Sequence, residues 1–279
     1  MADPRPSIAD RRRTFKQLHE GGCFVIPNPW DVGSARFLQG LGFKALATTS
    51  SGFAWSQGRP DNGISRDMAL AHLRDIVAAT DLPVNADFES GFAVDAAGVA
   101  ESVRLAVGTG VAGLSIEDST GDAARPLYEL SVAVERIRAA RAAIDQTGGD
   151  TLLVGRAECF FVGRPDLGEA IERLKAYADA GADCLYAPGI RTREQITAVV
   201  AAVAPKPVNL LVGSTTDLTM QDISALGVRR VSVGGALARS AWGGFIRAAR
   251  LIAEQGKFDG FANAASGNEL NAFFAGDRK

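Results

Sequence analysis

Short apolar runs alternate with longer amphipathic stretches along most of the chain. The runs are Cys23–Pro27, Ala45–Thr49, Pro83–Asp87, Gly113–Glu117, Leu152–Ala157, Cys184–Ala187, Val208–Val212 and Arg230–Gly234. Most lack clean period-two alternation, as strands buried on both faces do. Between them, helical segments are predicted over about 8–20, Arg66–Thr80 behind a Ser65 cap, Asp95–Thr109, Val132–Thr147, Leu167–Ala180, Thr192–Val203 and Asp217–Leu226. Gly110, Gly181 and Gly227 close several of them, because glycine reaches the left-handed conformation of a helix C-cap. Eight βα units match an α/β fold of the (β/α)8 TIM-barrel type in count and size. A doubly wound open sheet is the alternative. It would usually have fewer strands, and no GxGxxG follows the first one. No linker, low-complexity tract or charge run marks a second domain. The expectation is one barrel domain over 1–279, with an N-terminal helix and a C-terminal helical tail. That tail carries Phe258, Phe261, Leu270, Phe273 and Phe274, so it should pack on its own barrel or on a partner.

Composition narrows the function. With 279 residues and 47% hydrophobic content, the chain can bury a large core. A net charge of -2 gives no electrostatic case for nucleic acid or for an anionic membrane surface. No apolar run approaches the roughly 18 residues of a membrane span. The first ten residues are polar and have no apolar signal core, so a cytoplasmic protein is expected. Cys23, Cys159 and Cys184 fit no zinc spacing and read as reduced, buried thiols.

In barrels the chemistry sits at the C-terminal ends of the strands. Two apolar runs end there in carboxylates, Asp87 with Glu89 and Glu117 with Asp118. Bare carboxylates cannot lie mid-strand in a core, but at a strand end they can face a cleft. An all-oxygen set suits a hard divalent cation, above all Mg2+. Asp87 and Glu117 read as metal or substrate ligands rather than caps or salt-bridge partners. Glu89 could equally be solvated, and Asp118 could be a structural acid of the rim. Arg156 lies inside an apolar strand and must be paired, either with Glu158 or Glu117 or with a substrate carboxylate. Ser50, Ser51 and Gly52 offer hydroxyls and N–H groups for an anion, against a plain strand-to-loop turn. Asn209 and Ser214 belong to strand seven and its loop. Gly234-Gly235 could bind phosphate at a helix N-terminus or simply allow close packing. His19 and His72 fall on predicted helices, so a Ser–His–Asp device is not expected.

The segments Ile26-Pro-Asn-Pro-Trp-Asp31, Thr49-Ser-Ser-Gly52, Gly58-Arg-Pro-Asp61, Asn85-Ala-Asp-Phe-Glu-Ser-Gly91, Ser115-Ile-Glu-Asp118 and Gly155-Arg-Ala-Glu158 carry a resemblance. Over roughly residues 20–255 the chain resembles the isocitrate lyase/phosphoenolpyruvate mutase superfamily. The resemblance implies a barrel whose last helix is exchanged between subunits of a homotetramer, a dimer of dimers. It implies Mg2+, with Mn2+ as a substitute, holding a small 2-oxo or 2-hydroxy acid while a C–C or P–C bond beside an enolate is made or broken. By position, Asp61, Asp87 and Glu117 become ligands of the metal or its waters. Ser51 and Gly52 hold the substrate carboxylate, and Ser50 and Asn209 join them as substrate-binding candidates. Arg156 is a second anchor; Asp61, Arg156 and Glu117 are the catalytic candidates.

The departures from the family pattern are informative. Isocitrate and methylisocitrate lyases carry a Lys-(Lys/Arg)-Cys-Gly-His loop after strand four, with the Cys as acid. The loop here, Ser119-Thr-Gly-Asp-Ala-Ala-Arg-Pro-Leu127, has no Cys, His or Lys. Asn85 also replaces a common Asp, a loss for which Glu89 can compensate. The expectation is a Mg2+-dependent C–C lyase of a small 2-oxo or 2-hydroxy di- or tricarboxylate. Oxaloacetate decarboxylation fits best because it needs no Cys acid. The alternatives are P–C chemistry on phosphonopyruvate and a non-catalytic metabolite-binding barrel.

Overall fold

The computed structural model describes residues 5–276; residues 1–4 and 277–279 of the expected domain lie outside it. Eight strands form one parallel sheet: β1 (Phe24–Ile26), β2 (Leu46–Ala47), β3 (Val84–Asp87), β4 (Gly113–Glu117), β5 (Leu152–Arg156), β6 (Cys184–Tyr186), β7 (Val208–Leu211) and β8 (Arg230–Ser232). Their order is β1-β8-β7-β6-β5-β4-β3-β2. The Ala47 N–H donates to the Pro27 carbonyl at 3.0 Å, which brings the two ends of the sheet together. The fold is therefore a (β/α)8 TIM barrel.

The helices that cover it are α4 (Arg66–Ala79), α5 (Ala96–Val107), α6 (Leu130–Gln146), α7 (Leu167–Asp179), α8 (Arg193–Val203) and α9 (Met220–Ala225), after α1 (Ile8–Glu20), α2 (Val32–Gly40) and α3 (Ser50–Ser56). Their starts are fixed chemically. Ser65, Asp95, Asp166, Thr192 and Thr219 each accept a backbone N–H of the first turn. Such a cap contributes about 1 kcal/mol. The apolar stripes of these helices close over the sheet, with Val99, Val103 and Ala106 of α5 and Ile137, Ala140 and Ile144 of α6 all buried. α1 closes the lower mouth of the barrel, where Phe15 packs with Ile26, Ala45, Ala112 and Leu152.

Three features were not legible in the periodicity. α2 and α3 are short, and α3 begins at once after β2, where the pattern reads as loop. α10 (Ala236–Gln255) buries only Ala238 and leaves Trp242, Phe245, Ile246 and Ile252 exposed. Its main packing partner within the chain is the single 3-10 turn Asp259–Phe261. The last described helix, α11 (Gly267–Ala275), returns to α2: Phe273 packs at a tilt against Phe37 with centroids 4.8 Å apart, and Arg36 donates to the Phe274 carbonyl at 3.2 Å. Phe258 and Phe261 stay exposed. Among the described residues no helix is long and apolar enough to cross a membrane.

Candidate active site

A cavity of about 1050 Å³ opens at the C-terminal end of the strands and runs down into the barrel. The strands supply its polar wall: Asp87, Glu117 and Arg156 end β3, β4 and β5, Glu158 follows β5, Tyr186 and Ser232 end β6 and β8, and Asn209 lies near the start of β7. Ladder pairing sets Glu117 opposite Arg156, and Arg156 opposite Tyr186.

Arg156 is the hub. Its Nη1 meets Asp87 Oδ1 at 2.6 Å, its Nη2 meets Glu117 Oε2 at 3.0 Å, and its Nε donates to Glu158 Oε1 at 2.9 Å. The guanidinium also lies 5.0 Å above the Tyr186 ring. Burial opposes its charge, but Glu158, Glu117 and Asp87 together hold its pKa well above the ordinary value. One cation thus serves three carboxylates. Burial drives Glu117 well above the usual range, against the pull of Arg156. Burial likewise raises Glu158 to about 7. The cluster has excess negative charge, which only protons or a further cation can relieve.

Asp87 has a second task. Its Oδ2 accepts from both the N–H and the hydroxyl of Ser50 at 2.9 Å, at the start of α3, while its own N–H donates to Thr48 Oγ1. The cap reading that the sequence disfavoured is therefore real, because Asp87 caps a helix from a neighbouring strand. Ser50 is committed to this link. Gly52 N–H is committed to Thr49 Oγ1 at 3.3 Å. Ser51 shares a 3.1 Å hydrogen bond with Thr49 and lines the cavity. Gly52 is packed too tightly for a side chain: a Cβ would meet Thr49 Cγ2 at 2.7 Å and Trp30 Cβ at 3.0 Å.

Glu89 follows β3 with a left-handed φ of 47° and is buried, its Oε1 without a hydrogen-bond partner among the described residues. Burial, then Asp87 and Asp61, push it up to about 8. Asp61 lies on the cavity wall, raised by burial and by Asp87. Asp118 turns away from the cavity into a structural network with Arg173 at 3.1 Å and Tyr177 at 2.5 Å. Among the described residues no three His, Cys, Asp or Glu side chains converge to hold a metal ion. Within the cluster Arg156 bridges Asp87 and Glu117, one through each terminal nitrogen.

The loop after β4 folds on itself. Thr120 N–H donates to the Pro126 carbonyl at 3.0 Å, and its hydroxyl is tied to the Arg125 carbonyl. Ser119 alone of this loop lines the cavity, so it delivers no proton donor of ordinary acidity. The phosphate reading of Gly234-Gly235 finds no support: Asn28 Oδ1 already accepts the N–H groups of Val233 and Gly234, both at 2.9 Å.

A model of the phosphoenolpyruvate phosphomutase family matches residues 15–253. The chain belongs to that family. It is 48% identical to a Burkholderia cenocepacia J2315 protein provisionally described as a lyase/mutase, over 97% of this chain and 98% of that one, with a TM-score of 0.94. It is 30% identical to the oxaloacetate decarboxylase of Rhodopseudomonas palustris (strain BisB18), over 81% of this chain and 78% of that protein. It is 27% identical to oxaloacetate acetylhydrolase in complex with the product oxalate, over 96% and 95% of the chains, with a TM-score of 0.83. The isocitrate lyase/phosphoenolpyruvate mutase superfamily resemblance is thereby shown. Its members include C–C lyases and P–C mutases, so membership does not select one activity.

Tyr186, Ser232 and Arg230 are among the polar residues of the cavity that the sequence analysis does not single out. Tyr186 looked like core, yet its ring lies on Arg156. Arg230 opens β8, at the end of the strand opposite the one where barrel chemistry is sought.

Proposed function

We propose that the protein is a Mg2+-dependent lyase that cleaves a C–C bond of a small 2-oxo or 2-hydroxy di- or tricarboxylate, with oxaloacetate as first candidate. The observation that carries the proposal is the over-acidic cluster in the cavity wall beside a loop that offers no general acid. A C–C lyase acting by decarboxylation needs charge stabilisation of an enolate rather than a Cys acid. Mn2+ would substitute for Mg2+.

The donor set fits a hard cation. Glu89 Oε1 is buried without a partner, next to Asp87 and Asp61. Mg2+ keeps several waters and is usually held by one or two carboxylates, so a three-carboxylate cage is not required. Asp61, Asp87, Glu89 and Glu117 would hold it or its waters. When bound, the ion would polarise the 2-oxo oxygen and lower the cost of the enolate. The chain's own groups do the rest. Arg156 fixes Asp87, Glu117 and Glu158 in place and leaves its remaining N–H hydrogens for a substrate carboxylate. Ser51 and the start of α3 border the same space, with Gly52 keeping the backbone close, and Asn209 lines the lower wall.

The P–C alternative is less favoured, because Thr120 is turned into its own loop. The exposed apolar face of α10 supports a homotetramer in which this helix covers a neighbouring barrel. The test of the function is thermal unfolding with and without Mg2+, across oxaloacetate, oxalate, 2-oxoglutarate, methylisocitrate and phosphonopyruvate. A ligand at about 100 times its Kd adds roughly 2.7 kcal/mol. A Mg2+-dependent rise with a 2-oxo diacid is the expected result. A rise with phosphonopyruvate alone, or with none of the acids, contradicts the proposal.

A further inference from the structure

Arg230 is 2% exposed, at the centre of the barrel, yet its guanidinium faces the cavity. Every group that touches it is neutral. Its Nε donates to Asn209 Oδ1 at 2.8 Å, and its Nη1 lies 3.3 Å from Asn85 Oδ1. Its third neighbour is His19, whose Nε2 stands 3.4 Å from the same Nη1. His19 Nδ1 is 2.7 Å from the Phe15 carbonyl, so that nitrogen carries the proton and Nε2 is the acceptor. Burial and then Arg230 itself press the His19 pKa down to about 3, so the ring stays neutral. Among the described residues Nη2 has no hydrogen-bond partner and no carboxylate pairs with the guanidinium.

An uncompensated buried charge is strongly unfavourable, and proteins rarely retain it without use. The cavity gives the use. Its floor brings together Arg230, Asn209 and Ser232, with the Tyr186 hydroxyl on the same wall. Asn209 donates through Nδ2 to Ser232 Oγ at 2.9 Å, so both ends of its amide are spent on orienting the floor. Burial raises Tyr186 to about 12, which keeps its hydroxyl protonated as a donor. The carboxylates around Arg156 line the same cavity, but none pairs with Arg230.

We propose that Arg230, oriented by Asn209 and Asn85, is an anion subsite at the floor of the central cavity. It takes a carboxylate-sized anion, supplied either by the distal carboxylate of a diacid or by a free small anion. The diacid source rests on the proposed function, but the subsite itself does not. A substrate held this way would have one acid group at the floor and its reacting end near Arg156.

The test is calorimetric binding with EDTA present, so that failure of the metal-dependent reading leaves this readout untouched. The probes are malonate against acetate, succinate against propionate, and formate as a free anion. Two variants are compared with the wild type. Asn85→Asp places a countercharge where Asn85 Oδ1 now lies, and Arg230→Gln removes the cation. The wild type should bind one diacid about tenfold or more tighter than its monoacid, and both variants should reduce that ratio below about threefold. Asn85→Asp should also keep or raise the melting temperature. Formate binding that both variants weaken about tenfold, without preference for diacids, supports the subsite with a free anion as occupant. Binding left unchanged by both variants, or wild-type protein that binds none of the five acids, overturns the proposal.

Discussion

Two arginines project into one barrel and meet opposite surroundings. Arg156, at the upper end of the strands, holds three carboxylates within 3.0 Å. Arg230, lower down, is held by two amide oxygens and a neutral imidazole. Both are buried, so both bear the cost of leaving water. The upper region is over-supplied with negative charge and fits a cation. The lower region is over-supplied with positive charge and fits an anion. The difference shows that a buried charge is read from its neighbours rather than from its burial. A cavity lined by both regions presents opposite fields along its depth, a suitable setting for an anionic substrate beside a divalent ion.

The largest effect expected from breaking this contrast comes from Arg156→Gln. It leaves Asp87, Glu117 and Glu158 close together without their cation. Removing one partner of a buried ion-pair network costs about 3–5 kcal/mol, or about 10 °C in a chain of this size. Thermal unfolding at pH 7 checks it. A melting temperature within a degree or two of wild type would show that the cluster is not held by Arg156. A smaller loss is expected from Gly52→Ala, about 1–3 kcal/mol for a Cβ forced against Thr49 and Trp30. Because Asp87 caps the same helix, this variant should also weaken binding of 2-oxo acids, measured by titration calorimetry. Unchanged affinity would detach α3 from the site.

The smallest effect concerns the lower region and its pH dependence. His19 has a folded pKa near 3, set by burial and by Arg230, against an ordinary value of 6.5. Below its ordinary value the unfolded chain takes up a proton that the folded chain refuses. The stability due to neutral His19 is thus complete above pH 6.5 and is lost as pH falls toward 3. Arg230→Gln removes the second of three lowering causes, the others being burial and Arg229, so the folded pKa should rise. Each unit regained should recover about 1.4 kcal/mol at the acid end. An NMR titration of the His19 ring reads this directly, and an identical midpoint in the variant would mean that Arg230 does not act on the ring.

Much of this molecule was legible before its structure. All eight strands lie where the apolar runs placed them, because strands buried on both faces leave a continuous apolar signal. The helices α2 and α3 were not legible. α3 is seven residues long, and its start is stabilised by Asp87, a residue of another strand, which no local pattern encodes. The candidates at the cavity were found by asking which polar residues end a strand. Asp61, Asp87, Glu117, Arg156, Ser51 and Asn209 all line the cavity, whereas Glu89 is buried beside it. What the rule could not foresee is which groups neutralise one another. The sequence offers Arg156 as a substrate anchor, whereas in the structure it spends a donor on each of three carboxylates. Arg230 falls outside the strand-end rule because it opens its strand, yet its side chain reaches inward.

The central claim is metal-assisted C–C cleavage at the upper cluster. The most direct test follows oxaloacetate conversion to pyruvate by NMR, with Mg2+-loaded protein against Mg2+ alone. The account predicts turnover above that background, abolished by EDTA and by Asp87→Asn, with the variant still folded. Oxaloacetate consumed no faster than with free Mg2+, together with no cleavage of methylisocitrate or any other 2-oxo or 2-hydroxy diacid, would contradict it.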